Sequence, residues 1–359
     1  MRIAIVGGIF DKPESYRANH SISPETTLVD GFRARGLSVT PFGHHQFVPN
    51  DDFDIVHVHH FARAVFALHQ CPEHTRTVFT THDGHLMNGL SIGVAKYVTY
   101  PSVMRSVDSV VSLSTREQVY LTQRFALDPQ TVKTISNGIN TTLFARTCQP
   151  NENPSLLCVG QLQRFKGLDY LIDALPLILK SNPSVILTLV HQNEGMLDYY
   201  RQKVRARALE HAVVFAGPKS PDELANLYSQ CTVLMSPSLV ECFSTVVLEG
   251  MGCGCAVVAT DVGGIREQLD SECGVIVPAG NAAAIARAVC ELLGDGPRRA
   301  RLGARAAAVA REKFSTDAMI TAHIDLYKSL LSRPRKKVKV QDRMTSALVR
   351  KYSRFRGNS

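Results

Sequence analysis

The sequence predicts an α/β fold of two doubly wound parallel-sheet domains, followed by a basic C-terminal tail. Three observations support this fold class. Short runs of β-branched residues alternate with longer segments of helical periodicity along most of the chain. The β-type runs are apolar nearly throughout, as in parallel strands that are covered on both faces. The length of 359 residues also exceeds what one hydrophobic core usually serves.

Six strands are predicted in the N-terminal half, at residues 2–6, 38–42, 55–59, 77–81, 109–113 and 132–135. A polar segment rich in Pro and Asn follows at residues 147–154 and indicates a linker. We therefore predict an N-terminal domain at residues 1–148 and a second domain at residues 149–315.

The alternation restarts after the linker. Further strands are predicted at residues 156–159, 185–190, 213–215, 232–235, 256–259 and 275–277, with helices at 167–179, 221–230, 282–293 and 298–313. A last helix is predicted at residues 316–331, where apolar residues recur at helical spacing. Because ligands of open α/β sheets bind at the carboxyl ends of the strands, functional residues are expected in strand-to-helix loops.

Composition excludes several classes of protein. The hydrophobic fraction of 45% and the charged fraction of 20% are those of a folded protein rather than a disordered one. No apolar stretch approaches the ~18–20 residues of a membrane span, and the N-terminal run is too short for a signal peptide, so we expect a cytoplasmic protein. The nine cysteines include no C-x-x-C pair, which favours buried free thiols over a zinc knuckle or a disulfide framework.

The net charge of +8 is concentrated in the predicted tail, residues 332–359. Residues 333–359 contain ten basic side chains and one acidic one, Asp342, so the rest of the chain is close to neutral. A helix from about Val340 to Phe355 would be basic and amphipathic, which suits an anionic membrane surface. The alternative is a solvated, partly disordered tail. No nucleic-acid partner is expected, since no recognised binding module accompanies the charge.

The segment most suggestive of chemistry carries two carboxylates eight residues apart, Glu241 and Glu249. Glu241 lies in the loop after a predicted strand, and Glu249 lies two turns into the next helix. Ser244 or Thr245 can cap that helix, and an exposed helix N-terminus is suited to a diphosphate. The alternative is a pair of surface carboxylates near a helix start.

The segment and its surroundings resemble the retaining GT-B glycosyltransferases with an E-x7-E motif, the family 4-like enzymes also called group 1. Glu241 and Glu249 match that motif, and four other stretches match in family order. These are residues 136–140 (SNGIN), 159–175 with Lys166-Gly167, 215–228 and 252–267 with Gly263-Gly264. The resemblance implies two Rossmann-like domains facing a central cleft, with the last helix crossing back to the N-terminal domain.

The resemblance also implies roles for individual residues. Glu241 would contact the donor sugar near its reacting carbon, and Glu249 would contact the nucleotide ribose. Lys166 would neutralise the departing diphosphate without a metal ion; its alternative is a solvated charge at a helix start. Backbone N–H groups for sugar and phosphate would come from Phe243, Ser244, Thr245 and Val246. The donor would be a UDP-, GDP- or ADP-sugar, with no cofactor.

The chain departs from the family pattern at two places. Gln161 stands where members usually have Arg, and Gln cannot make the charged bidentate contact of a guanidinium with phosphate. Arg164 is a candidate replacement from the same loop. Residues 191–195 (HQNEG) replace the usual turn that contacts the base, which leaves the nucleotide open.

In the N-terminal half, Gly7-Gly8 ends the first strand and resembles a glycine loop that approaches donor phosphates. His82 follows the fourth strand, where the family has a histidine that faces the donor sugar or orients the acceptor. His59 is expected at the acceptor side. A metal site formed by His57, His59 and His60 is not expected, because His60 points away from the face that the other two share.

The function that these features predict is a retaining hexosyltransferase, which moves a sugar from a nucleotide sugar to a hydroxyl of a saccharide or lipid-linked acceptor. A role in cell-envelope glycan or glycolipid synthesis, on the inner face of the membrane, would agree with the basic tail. Two alternatives stay open: a sugar-nucleotide epimerase of the same fold, and a catalytically weak subunit that binds a membrane or a partner.

Overall fold

The computed structural model describes residues 1–14, 16, 23–50, 52–61, 63–82, 84, 94–151, 153–192 and 195–334. The predicted tail helix lies outside the described residues. The chain forms two compact units, Met1–Asn137 with the chain from Asp317 onward, and Gly138–Thr316. Each unit contains one six-stranded sheet in which all strand pairs are parallel. This is the predicted α/β fold class.

The sheet of the first unit has the strand order β2-β1-β3-β4-β5-β6. Its strands are β1 (Arg2–Val6), β2 (Ser38–Phe42), β3 (Ile55–His59), β4 (Arg76–Thr80), β5 (Ser109–Ser112) and β6 (Val132–Thr134). The helices are α1 (Pro24–Ala34), α2 (Val94–Ser106) and α3 (Thr115–Phe125), with 3-10 turns at Gly8–Asp11 and Arg63–Gln70. Because β2 and β3 lie on opposite sides of β1, the direction of winding reverses between β1 and β3. A reversal of this kind leaves a crevice at the carboxyl ends of the two strands.

Alternate residues of β1 enter two separate cores, which accounts for its unbroken apolar sequence. Ile3 and Ile5 pack in the same core as Phe32 of α1. Ala4 and Val6 pack in a second core on the other face of the sheet. The last helix, α11 (Thr316–Leu331), contributes to the first of these cores, and a Cβ at Gly31 of α1 would overlap its Ile320 side chain.

The sheet of the second unit has the order β12-β11-β10-β7-β8-β9, which is the 3-2-1-4-5-6 order of the Rossmann fold. The strands are β7 (Ser155–Val159), β8 (Ile186–Val190), β9 (Val213–Gly217), β10 (Val233–Ser236), β11 (Ala256–Thr260) and β12 (Val275–Val277). The winding reverses between β7 and β10. Helices cover the sheet: α4 (Leu168–Ser181), α5 (Leu197–Arg205), α6 (Pro221–Gln230), α7 (Thr245–Gly252), α8 (Ile265–Gln268), α9 (Ala282–Gly294) and α10 (Gly296–Lys313), after a 3-10 turn at Arg164–Lys166.

The units divide at residues 137/138, whereas the sequence division was placed at 148/149. The segment between these points is tied to the second unit. The N–H of Ile139 donates to the carbonyl of Phe314, and the Phe144 ring lies 6.0 Å from the ring of Tyr228. The polar residues 147–151 and 153 therefore lie in an exposed segment inside the second unit. None of the nine cysteines, all of which the structure describes, forms a disulfide bond, and six of them are buried.

Among the described residues, no helix combines the length and the hydropathy that crossing a bilayer would require.

Candidate functional site

A pocket lies at the carboxyl edge of the second sheet, at the point where its winding reverses. Its walls come from the ends of β7, β8 and β10 and from the loops that follow β7 and β10, and its empty space, which is open to solvent, amounts to about 480 Å³. The polar residues that line it include Gln161, Lys166, Ser236, Ser238, Glu241 and Ser244, together with the apolar Val246.

An ion pair occupies one side of this pocket. Lys166 Nζ donates to Glu241 Oε2 at 2.8 Å, and the two side chains are only 28% and 16% exposed. Partial burial weakens solvent screening, so this ammonium and carboxylate interact more strongly than a surface pair. The residues come from different strand-to-helix loops, 75 positions apart in the sequence.

The backbone holds the two loops together. The carbonyl of Phe165 accepts hydrogen bonds from the N–H groups of Leu239 (2.7 Å) and Val240 (3.3 Å). Gly167 has a left-handed φ of 68°, and a Cβ at this position would overlap the carbonyl oxygen of Pro237. Only glycine satisfies both requirements without strain, so the Lys166-Gly167 pair has a structural reason as well as a chemical one.

The start of α7 faces the same pocket. Ser244 is its N-cap, and its side chain accepts from the N–H of Val247 at 3.3 Å. The Gln268 side chain fixes the cap, because its Nε2 donates to the Ser244 carbonyl and its Oε1 accepts from the Ser244 N–H. The N-cap Ser244 and Val246 of the first turn both line the pocket, and a helix N-terminus in such a place attracts anions.

Four of the donor residues predicted in the second unit are not among those that line the pocket: Arg164, Phe243, Thr245 and Glu249. Phe243 is buried, with its ring 5.5 Å from that of Phe314. Thr245 is the first residue of α7. Arg164 places its guanidinium 5.1 Å from the centre of the Tyr199 ring, a cation–π contact. Gln161 lines the pocket, but it has no guanidinium. The guanidinium of Arg164 does not line the pocket, so neither residue supplies one there.

Glu249 is separated from the Lys166–Glu241 pair. It is buried, and its Oε2 accepts a hydrogen bond of 2.7 Å from the hydroxyl of Tyr228. Burial raises the pKa of Glu249 to about 7, although the bond from Tyr228 acts in the opposite direction. This carboxyl group does not line the pocket. The predicted contact between Glu249 and the ribose stays a prediction.

A cluster of histidines lies at the corresponding reversal point of the first sheet. His59 Nδ1 and His82 Nε2 share a hydrogen bond of 2.9 Å. His57, on the same face of β3 as His59, bonds to Tyr327 and Thr80 through its two ring nitrogens, each at 2.7 Å. Burial lowers the pKa of His57, His59 and His82 well below the ordinary value. These rings are therefore neutral at pH 7 and can exchange hydrogen bonds with hydroxyl groups.

One buried nitrogen of this cluster is unpaired. His59 Nε2 forms no hydrogen bond with any residue that the structure describes, and His59 lines a small cavity together with His82, Asn137 and His323. Buried polar atoms are rarely left unpaired unless a ligand or water fills the place. Metal-ligand geometry is absent from the described portion of the chain, in that no three His, Cys, Asp or Glu side chains are grouped around a common point.

The predicted glycine loop lies beside these histidines. The N–H of Gly7 donates to the Phe42 carbonyl at 3.0 Å, and a Cβ on Gly7 would lie 2.9 Å from Glu25 Cγ. A Cβ on Gly8 would lie 3.5 Å from His44 Cδ2. The absence of a side chain at Gly7 thus makes room for Glu25.

Two residues of this region were not identified from the sequence, Glu25 and His60. His60 Nε2 lies 3.0 Å from Glu25 Oε1, and the side chains are 49% and 4% exposed. Burial acts to raise the pKa of Glu25, but the hydrogen bond with His60 holds it well below the usual range. The structure gives a signal that the sequence lacks, since His60 after β3 and His82 after β4 take left-handed φ angles of 64° and 48°. Residues other than Gly adopt such angles mostly where function or packing requires them.

Two family profiles and several known proteins match this chain. The sequence profile of the family "Glycosyl transferases group 1" matches residues 140–309, and that of "Glycosyltransferase Family 4" matches residues 11–143. A D-inositol 3-phosphate glycosyltransferase of Acidothermus cellulolyticus is 30% identical over 251 residues, which are 65% of this chain and 56% of the relative. The chain spans about half the length of several curated relatives that it matches.

Solved structures of low sequence identity share the fold. Sucrose-phosphate synthase from Thermosynechococcus elongatus superposes with a TM-score of 0.80 at 20% identity, over 92% of this chain and 99% of that one. Anabaena HepE in complex with UDP superposes with a TM-score of 0.73 at 18% identity, over 92% and 100% of the two chains. Both agree with two Rossmann-like units of the GT-B class. With its two halves matched in order by the two profiles, the chain belongs to the group 1 and family 4 glycosyltransferases.

Proposed function

We propose that the protein is a retaining hexosyltransferase that moves a sugar from a nucleoside-diphosphate sugar to an acceptor hydroxyl. The observation that carries this proposal is the half-buried Lys166–Glu241 pair beside the start of α7. An ammonium and a helix N-terminus together favour an anion, and a neighbouring carboxylate favours a polar or cationic group. A nucleotide sugar combines these features, since a diphosphate adjoins a ring that becomes positively charged during transfer.

The chemistry needs stabilisation of the leaving group. As the bond between the sugar carbon and the diphosphate breaks, negative charge grows on the phosphate oxygens. Lys166 and the first N–H groups of α7 are positioned to stabilise that charge without a metal ion. Glu241 then steadies the sugar. In a transfer with retention, the leaving phosphate helps to take the proton of the acceptor hydroxyl, so no protein nucleophile is needed.

For the donor we propose a UDP-, GDP- or ADP-sugar, with UDP as the first to test because the similar HepE structure contains UDP. For the acceptor we propose a hydroxyl of a saccharide or a lipid-linked molecule of the cell envelope. The basic segment 333–359 would hold the enzyme at an anionic inner membrane surface, from a cytoplasmic location. The relative named for D-inositol 3-phosphate supports phosphorylated polyols as test acceptors.

Nucleotide binding tests the donor site directly. Thermal unfolding would be recorded with UDP, GDP and ADP for the wild-type protein, for Lys166→Met and for the control Lys180→Met, which removes an exposed lysine of α4. We expect one nucleotide to raise the Tm of the wild type and the control, and to raise that of Lys166→Met much less. Equal shifts in all three proteins would contradict the proposed role of Lys166.

Turnover tests the role of Glu241. We expect Glu241→Gln to lower sugar transfer by roughly 10²-fold or more, as when a group that stabilises transition-state charge is removed. The control Glu272→Gln removes an exposed carboxylate. Proton NMR of the product reports whether the anomeric configuration is retained. Incubation of the sugar nucleotide without acceptor would reveal an epimerase. Nucleotide binding without any turnover would reveal a catalytically weak subunit. The family match favours neither alternative.

A further inference from the structure

The Glu25–His60 pair has the arrangement of a positioned histidine. Glu25 belongs to the first turn of α1, where a capping box between Ser23 and Thr26 fixes the helix start, and its side chain is buried. His60 Nε2 lies 3.0 Å from this carboxylate, and the His60 ring lies 4.5 Å from the ring of His82. A carboxylate at one ring nitrogen fixes the imidazole tautomer and directs the other nitrogen at a ligand.

We infer that His60, oriented by Glu25, accepts a hydrogen bond from the acceptor hydroxyl through Nδ1, and that it thereby positions the acceptor for transfer. This inference rests on the proposed function and extends it to two residues of the first unit. Nε2–H donates to Glu25, so Nδ1 is the nitrogen that is left for a ligand. The imidazole side chain is 49% exposed, which gives an acceptor access to it.

The surroundings favour this division of roles. Among the residues that the structure describes, the titratable groups that interact with His60 are Glu25 of α1, His59 at the end of β3, His82 after β4 and His44 after β2. Glu25 is the one carboxylate in this set, and its carboxyl group is buried against His60. His59 and His82 bond to each other through one ring nitrogen each, whereas the Glu25 carboxylate bonds to His60. Glu25 is therefore a positioning residue, and His60 is the residue that contacts the acceptor.

The backbone angle at His60 determines which substitutions are suitable for a test. His60 has a φ of 64°, an angle that Gly and Asn accept more readily than other residues. His60→Gly removes the imidazole without backbone strain, and His60→Asn keeps a hydrogen-bond acceptor near the position of Nδ1. Glu25→Gln keeps the shape of the carboxylate but removes its charge. The control His74→Asn changes an exposed histidine.

The kinetic test compares transfer with hydrolysis. UDP-glucose, GDP-mannose and ADP-glucose are each supplied with water alone, with octyl glucoside or with inositol 3-phosphate. For the donor that is hydrolysed, we expect the ratio of transfer to hydrolysis to fall about tenfold in His60→Gly, as for the loss of one good hydrogen bond. His60→Asn should recover part of the loss, and free imidazole added to His60→Gly should restore transfer. A ratio equal to that of the wild type in His60→Gly, or no rescue by either route, would overturn the inference.

A second measurement does not depend on turnover. In protein labelled with ¹⁵N-histidine, the His60 signals, assigned by their loss in His60→Asn, should show a proton on Nε2. Glu25→Gln should shift these signals, whereas His74→Asn should leave them in place. A His60 tautomer with its proton on Nδ1, or one insensitive to Glu25→Gln, would contradict the dyad. Failure of the wild type to hydrolyse any donor would instead contradict the proposed function, and the NMR result would still decide whether Glu25 orients His60.

Discussion

Replacing Glu249 by Gln should remove a pH dependence from the stability of the second unit. Glu249 is a buried carboxyl group that accepts a hydrogen bond from the hydroxyl of Tyr228, at 2.7 Å. No cation among the described residues pairs with it, so burial penalises the charged form and raises its pKa from 4.5 to about 7. The amide that the substitution introduces would be neutral at every pH and would still accept the hydrogen bond from Tyr228.

The direction follows from proton counting. Between pH 4.5 and 7 the folded protein keeps the Glu249 proton that the unfolded chain releases, so the free energy of unfolding falls as the pH rises. At 1.36 kcal/mol for each pKa unit, the loss amounts to about 3 kcal/mol once the pH is above 7. Below pH 4.5 both states are protonated, and the penalty vanishes. Glu25, whose pKa is lowered, contributes a slope of the opposite sign, but it does so equally in the wild type and in the variant.

The assay is urea unfolding at pH 5 and pH 8, followed by circular dichroism because the chain contains no Trp. We expect the stability difference between Glu249→Gln and the wild type to shift in favour of the variant by about 2.5 kcal/mol from pH 5 to pH 8, because part of the loss has already occurred at pH 5. Tyr228→Phe removes the bond that lowers this pKa and should move the transition to higher pH. The control Glu272→Gln, at an exposed position, should show the same pH dependence of stability as the wild type. If Glu249→Gln also shows that dependence, Glu249 is not a buried carboxyl group that keeps its proton.

Three further outcomes are expected. Gly167→Ala should lower both the Tm and the affinity for the nucleotide that stabilises the wild type. The new methyl group would sit on a residue with a left-handed φ and would press against the Pro237 carbonyl. An unchanged Tm and affinity would contradict the close approach of the two loops. Ile320→Ala should destabilise the protein by roughly 2–5 kcal/mol in urea unfolding, since Ile320 is buried against α1; a change within the experimental error would mean that α11 does not pack there. Arg164→Ala should reduce turnover sharply if the guanidinium replaces the arginine that is missing at Gln161, and unchanged kinetics would assign Arg164 to its contact with Tyr199 alone.

The fold was largely predictable because its strands are buried on both faces. A strand such as β1 or β11 is apolar at nearly every position, and turn residues delimit it, so its bounds can be read from the sequence to within a residue. The division at 148/149 failed to coincide with the structural one for a different reason. Residues 138–147 are held in the second unit by Ile139 and Phe144, and no local pattern encodes which body a connecting segment will join.

The candidate site was predictable where the chemistry follows from local sequence. The capped start of α7 at Ser244 and the Lys166–Glu241 pair lie on loops that the strand and helix pattern already exposes. Burial is not local, and it decides what Glu249 does. Its position on α7 predicts a contact with the ribose, which stays a prediction. The bond to Tyr228 of α6 could not be predicted, because the spacing of residues within the motif does not indicate it.

The two groups of functional candidates share a structural cause. In each unit they lie where the strand order reverses, between β1 and β3 in the first sheet and between β7 and β10 in the second. At such a point the loops that follow the two adjacent strands lead to helices on opposite faces of the sheet. The backbone N–H groups and side chains of these loops therefore face an open crevice instead of a helix. His60 follows β3, and Glu241 follows β10, on the corresponding edges. The same rule explains why Glu25 was missed: it enters the first crevice from a helix, 35 residues away in the sequence, and only the strand order shows that α1 begins there.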